Sequence, residues 1–153
     1  MSIKVIDGDL FDTTAPIICH QVNCQCRMGS GVAKQVREKY PIAYRQYMNL
    51  CTDKGSNPDA LLGTAQFVYG TDKIIVNMFD QNKYGYDKAL YTSYAAFEGC
   101  LRNIARQVAP GATIAMPYRI ACGLAGGDWN VVYGLIEKIL GQQYNVELWR
   151  KEG

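Results

Sequence analysis

The stretch that most restricts what this chain can fold into is residues 23–33, Asn-Cys-Gln-Cys-Arg-Met-Gly-Ser-Gly-Val-Ala. An apolar run at 16–22 leads into it and suits a buried strand. Val32, Ala33, Val36 and Tyr40 recur at helical spacing and lead out. Two glycines around a serine let bare backbone N–H groups gather at a helix N-terminus, where an anion is welcome. A second loop, 122–128, reads Cys-Gly-Leu-Ala-Gly-Gly-Asp and has the same design. The pair is expected to close on one phosphate-bearing ligand. Neither loop holds the Gly-x-x-x-x-Gly-Lys of a P-loop, and the first lacks the full dinucleotide fingerprint.

The other segments supply an alternating frame. Residues 3–6 read as a strand ending in a turn at 7–9. Pro41 ends the first helix and opens a second, with Tyr44, Tyr47, Met48 and Cys51 facing inward. Residues 63–69 and 73–78 read as two strands joined in a hairpin or tight connection. Residues 80–87 are polar and read as a loop. Leu90, Tyr94, Phe97, Leu101, Ile104 and Val108 step by three and four, predicting a long helix that Pro110 and Gly111 stop. Residues 113–117 form a strand. Asp128 is placed to cap a last helix over Val132, Leu135, Ile136, Ile139 and Leu140. Residues 145–149 form the final strand. Helices mostly separate strands, so the class is α/β, a mixed sheet covered on both faces. Ligands in such sheets lie beyond the carboxyl ends of strands. Asp9, residues 23–31, residues 79–86 and residues 122–127 all follow strand candidates.

The chain has 153 residues, enough for one domain over 1–153 with a sizeable core. Its formal charge of +2 points to no nucleic-acid partner by electrostatics alone. No signal-like N-terminus and no membrane-length apolar run appear, so a cytoplasmic location is expected. There are six cysteines, but several sit within apolar periodic segments, and no disulfides are expected. Cys19, Cys24 and Cys26 lack the paired spacing of a zinc site, and His20 is the single histidine, so no metal is expected. Cys100 and Arg106 match the bare spacing of cysteine phosphatases. They fall mid-helix without a glycine cradle, which reads as coincidence.

At 8–10 (Gly-Asp-Leu), 19–24 (Cys-His-Gln-Val-Asn-Cys), 28–33 and 123–129 (Gly-Leu-Ala-Gly-Gly-Asp-Trp) the sequence resembles the macrodomain family, the ADP-ribose-binding modules. The His-x-x-Asn-Cys step is similar to the branch of ADP-ribose 1''-phosphate phosphatases and the terminal ADP-ribose protein glycohydrolase. The resemblance implies a three-layer α/β/α fold with a central mixed sheet of about six strands. It implies that the chain binds ADP-ribose, with no cofactor, and removes a group from the distal ribose. That group is the 1''-phosphate or an ADP-ribosyl ester on a macromolecule. The alternative is a reader module without catalysis.

Carried over by position, Asp9, with Leu10 beside it, would take the adenine amine. Asn23 would bind distal-ribose hydroxyls. Met28, Gly29, Ser30, Gly31 and Val32, with Cys122, Gly123, Leu124, Ala125, Gly126 and Gly127, would wrap the diphosphate and distal ribose. Trp149 or Phe79 would stack on adenine. His20 occupies the position of the branch's proposed catalytic histidine, and Asp87, in the loop expected to face the same cleft, is the second acid/base candidate; with Asn23 they form the expected catalytic set. The glycohydrolase pattern wants a lysine after the central strand and an aspartate after Gly-Leu. Here no lysine comes before Lys83, and the second position is Ala125, which disfavours a lysyl adduct.

Overall fold

A computed structural model of the chain describes residues 1–29, 31–53, 60–69, 72–83, 90, 92–122 and 125–151. Six strands form one sheet in the order β1-β6-β5-β2-β4-β3. They are β1 (Ile3–Asp7), β2 (Ile17–Asn23), β3 (Ala65–Val68), β4 (Ile74–Gln81), β5 (Thr113–Pro117) and β6 (Asn145–Arg150). All neighbours pair in parallel except β3, which runs antiparallel along β4. The expected hairpin is therefore present at the sheet edge. β2 and β4, in the middle, are buried along nearly their whole length, as their apolar runs require.

Side-chain alternation builds the two covering layers. Ile17, Cys19, Val76, Met78, Ile114, Met116, Val146 and Leu148 face α3 (Tyr94–Gln107) and α4 (Trp129–Ile139) through Phe97, Leu101, Ile104, Val132 and Ile136. Ile18, Ile75 and Ala115 face the other way, onto Val36 of α1 (Gly31–Lys39) and Ala43 of α2 (Pro41–Asp53). A period of two along each strand divides these residues. Each large side chain so buried contributes about 1.5–3 kcal/mol. The result is the three-layer α/β/α arrangement.

Two boundaries differ from the sequence reading. The helix expected from Leu90 begins at Tyr94, with Ser93 as its cap accepting from the Ala96 N–H at 3.1 Å. Leu90 is exposed instead. The chain before the cap is drawn to the sheet: Thr92 bridges Gln81, and the Ser93 N–H donates to the Asp80 carbonyl at 2.8 Å. The second difference is in β4, which runs on through Asp80 to Gln81 where a loop was expected. A register shift, Val22 opposite Phe79 and then Asn23 opposite Gln81, leaves Asp80 as the extra residue of a bulge. Among the described residues no helix is long and apolar enough to cross a membrane.

Candidate functional site

β2 and β5 are parallel neighbours, so the loops that leave them open at one edge of the sheet. The first loop starts at Cys24, whose N–H donates to the carbonyls of Gln81 and Asn82 at 3.0 Å each. The second is tied to the first by a short relay. The Gln21 amide donates to the Thr92 hydroxyl at 3.0 Å, and that hydroxyl donates to the Ala121 carbonyl at 2.8 Å. The Thr92 N–H also donates to the Ala125 carbonyl at 3.1 Å. Gln21 and Thr92 were not anticipated; nothing in their sequence neighbourhood marks them.

Backbone strain gathers in these same segments. Among the described residues, the non-glycine residues with positive φ are Cys26 (61°), Arg119 (61°) and Ala121 (70°). Such conformations cost on the order of 1–3 kcal/mol each and persist only where surroundings enforce them. Gly31 and Gly126 also take positive φ, 61° and 77°. A Cβ placed on Gly29 or Gly31 would meet open space, so the outer side of the first loop is clear for a ligand. Gly127 is the opposite case: a Cβ there would lie 2.5 Å from the Ala121 carbonyl oxygen, which its own N–H binds at 2.9 Å. The first-turn N–H groups of α1 have no intrahelical acceptor and lie at this edge.

The residues named from sequence fall into distinct groups. Asn23 lies in the first loop, 9% exposed. Its Oδ1 accepts from the Gln25 N–H at 2.9 Å and stands 3.0 Å from the Tyr47 hydroxyl; its Nδ2 donates to the Arg27 carbonyl at 2.8 Å. One Nδ2 hydrogen remains for a ligand hydroxyl. Tyr47, fully buried, spans the Asn23 carbonyl at 2.7 Å and the Arg27 N–H at 3.0 Å. It organises the loop, yet from sequence it read only as core.

Met28 is buried among Tyr47 and Phe79, so only its backbone can face a ligand. Gly29 is exposed, as is Gly126, while Ala125 and Gly127 are buried. Val32 and Leu10 pack in the cluster with Trp149. Cys122 is half-buried, and burial pushes its thiol up to about 11. Asp9 caps the short turn Leu10–Asp12, accepting from the Phe11 N–H at 3.0 Å, and its other oxygen lies 4.0 Å from Lys151. Trp149 is half-buried against Gly8, with its indole N–H on Glu147 at 2.9 Å. Ser30, Asp87, Gly123 and Leu124 lie outside the described residues.

Three expectations need correction. Phe79 is fully buried and stacks on Tyr47 with centroids 5.6 Å apart, so it is core and not a platform for adenine. His20 is also fully buried, on the α2 side of the sheet. Its Nε2 lies 2.6 Å from Asn77 Oδ1, whose own amide nitrogen donates to Gln66 at 3.0 Å. Nε2 therefore carries the proton and Nδ1 is an unpartnered acceptor. Burial, opposed by the Asn77 bond, pulls its pKa down to about 4, so the ring is neutral. Sealed from solvent, it has no exposed atom to offer a ligand. The third correction is the absence of disulfides: Cys26 and Cys51 stand in bonding contact, with Cα atoms 5.7 Å apart.

Cys100 is buried in α3 and its thiol is pushed well above the usual range, which suits the reading of Cys100 and Arg106 as coincidence. Asp80 is a residue missed altogether. It is fully buried, and neither carboxylate oxygen has a hydrogen-bond partner. Desolvation pushes it up to about 8, with the nearby Gln21 amide offsetting part of that. Its signal was an acid directly following an apolar run. No group of three or more potential metal ligands gathers among the described residues.

The same arrangement of sheet, helices and loops recurs in solved proteins. A macrodomain protein from Streptomyces coelicolor superposes with a TM-score of 0.78 at 25% identity, over 97% of this chain and 98% of that one. A protein of unknown function from Bacteroides thetaiotaomicron gives 0.82 at 26%, over 98% of each. A Thermosipho africanus DarTG in complex with ADP-ribose gives 0.79 at 19% identity, over 97% of this chain and 41% of that one, a likeness of fold alone. No family model matches the sequence. The chain has the macrodomain fold. Its curated relatives lie within a narrower group. It is 38% identical over 72 residues to a Scheffersomyces stipitis protein named ADP-ribose 1''-phosphate phosphatase, covering 43% of this chain and 42% of that one. A Lodderomyces elongisporus protein of the same name is 28% identical over 95% of this chain and 98% of its own length. The chain thus spans less than half of the Scheffersomyces relative in its match and nearly all of the Lodderomyces one.

Proposed function

We propose that this macrodomain, as one domain over 1–153, binds ADP-ribose between its two loops and hydrolyses the 1''-phosphate from the distal ribose. The observation that carries the reading is the convergence of two strained, glycine-rich loops from adjacent parallel strands, bound together through Gln21 and Thr92. The names of the curated relatives supply the substrate. Main-chain N–H groups at Gly29, Gly31, Val32, Ala125 and Gly126 hold the diphosphate, which suits a chain of formal charge +2. Asp9 receives the adenine amine on its second oxygen, and Trp149 flanks the base. Asn23 offers its remaining N–H to a ribose hydroxyl.

Water attacks phosphorus, the bond from phosphorus to the ribose oxygen breaks, and that oxygen takes a proton as orthophosphate leaves. Positioning by the loops supplies much of the rate. His20 stays outside this step and supports the sheet beneath it; Asp87 remains the candidate for proton transfer. An ADP-ribosyl ester is the related substrate. A cytoplasmic setting is part of the proposal, supported by the buried thiols Cys19 and Cys100.

A second reading is a reader module without turnover, favoured by the enclosed His20 and by Ala125 where an acid would assist. Calorimetric titration with ADP-ribose, followed by phosphate release from ADP-ribose 1''-phosphate, separates the two. Binding with turnover supports the hydrolase, binding without turnover leaves the reader, and no binding refutes both.

A further inference from the structure

We propose that Cys26 and Cys51 form a thiol–disulfide modification site that sets how firmly the first loop is held for its ligand. The proposal rests on the reading of that loop as the ADP-ribose cradle. Cys26 lies three residues beyond β2 and is half-exposed; Cys51 lies on the inner face of α2 and is buried. Their sulfurs are in bonding contact across a separation of 25 residues. The geometry is shared by a second tie between the same two elements. Tyr47, one turn earlier on α2, holds the Asn23 carbonyl and the Arg27 N–H, on either side of Cys26. The Cys51 sulfur also lies 3.8 Å from the Cys24 carbonyl oxygen.

Cys26 itself has φ of 61°, a conformation that an L residue leaves unless something keeps it there. The bridge is such a constraint. With it, the segment between Asn23 and Met28 is fixed at both flanks by Tyr47 and at its centre by sulfur. Without it, Cys26 is free to return to negative φ and the loop gains alternatives that a ligand must remove on binding. A loop fixed in its binding shape loses less entropy and binds more tightly. The bridged form is therefore the high-affinity form.

The reaction needs a low-molecular-weight disulfide as oxidant. The half-exposed Cys26, as thiolate, attacks one sulfur of that reagent and forms a mixed disulfide, releasing one reagent thiolate that takes up a proton. Cys51, as thiolate, then attacks the Cys26 sulfur, and the second reagent thiol leaves. Two cysteine thiols lose two electrons and two protons, and one reagent disulfide becomes two thiols. The other cysteines do not compete, since Cys19, Cys24 and Cys100 are buried and Cys122 is held protonated.

The test takes wild-type protein, fully reduced with dithiothreitol, and treats half with glutathione disulfide. Intact mass and a non-reducing peptide map report the bridge, and calorimetry reports ADP-ribose affinity. The expected result is loss of two hydrogens, a Cys26–Cys51 linked peptide, and affinity about five-fold tighter in the oxidised sample. Cys51→Ser should show no redox response, taking up at most one glutathione. Glutathione retained on Cys26 in wild type, or Cys26 and Cys51 both alkylated after oxidation, overturns the site. A bridge with unchanged affinity overturns its control of the loop. If neither form binds ADP-ribose, the ligand reading fails, while the mass result still decides whether the bridge forms.

Discussion

Asp80→Asn is expected to make the protein more stable at neutral pH. The Asp80 carboxyl is sealed between the sheet and α3, its oxygens have no partner, and desolvation pushes its pKa up to about 8 from 3.8. The Cys100 and Cys122 thiols beside it are themselves raised, so they stay protonated and lend it no charge to offset. Folding therefore keeps a proton that the unfolded chain releases. For a carboxyl raised in the native state, the stability is full below pH 3.8 and is lost as pH rises toward 8. Between pH 4 and pH 7 that is about three pH units, at ~1.4 kcal/mol each, a loss on the order of 4 kcal/mol as an upper bound.

Asparagine keeps the shape and never ionises. The variant and wild type should be nearly equal in stability near pH 4, and the variant should gain with a slope of ~1.4 kcal/mol per pH unit up to about pH 7. Urea denaturation of both proteins at half-unit steps from pH 4.5 to 8.5 measures this. Groups that titrate alike in both proteins cancel in the difference. A stability gap that does not change with pH would refute the argument, because it would mean that Asp80 ionises in the native state as readily as in the unfolded one.

Other outcomes follow from the same site. His20, neutral and lowered to about 4, contributes stability that is present above pH 6.5 and lost as pH falls through 4; in the Asp80→Asn background, urea midpoints should therefore drop on acidification between pH 6.5 and 4. His20→Gln should flatten that acid limb. Gly127→Ala puts a Cβ against the Ala121 carbonyl at 2.5 Å, so the second loop must shift; ADP-ribose affinity should fall about ten-fold with a loss of about 1–3 kcal/mol in urea. Tyr47→Phe removes the hydroxyl that serves Asn23 and Arg27, leaving buried backbone groups unpaired; it should cost about 1–3 kcal/mol and weaken binding several-fold by calorimetry.

Much of the architecture was legible along the chain. The strands at 3–6, 16–22, 113–117 and 145–149 and the helices after Pro41 and Asp128 follow from local periodicity and caps, which act over a few residues. The two glycine-rich stretches were visible for the same reason: glycines between a strand and a helix mark a turn. Boundaries failed where distant backbone competes. Leu90 continues the helical spacing of Tyr94, yet Thr92 is taken by β4, and Asp80 is polar, yet the ladder with β2 carries it inside.

Chemistry depended on what the third dimension surrounds each side chain with. His20 sits in a motif that implies catalysis, but β2 turns it beneath α2, where burial removes both its charge and its access. Phe79 alternates onto Tyr47 and not into the cleft. Cys26 and Cys51 carry no mutual signal in order or spacing; only the packing of α2 beneath the first loop makes them neighbours. Composition, period and turn residues are properties of short segments and so can be read in one dimension. Burial, pKa and pairing depend on what many remote segments place around a group, and those exist only once the sheet has closed over its helices.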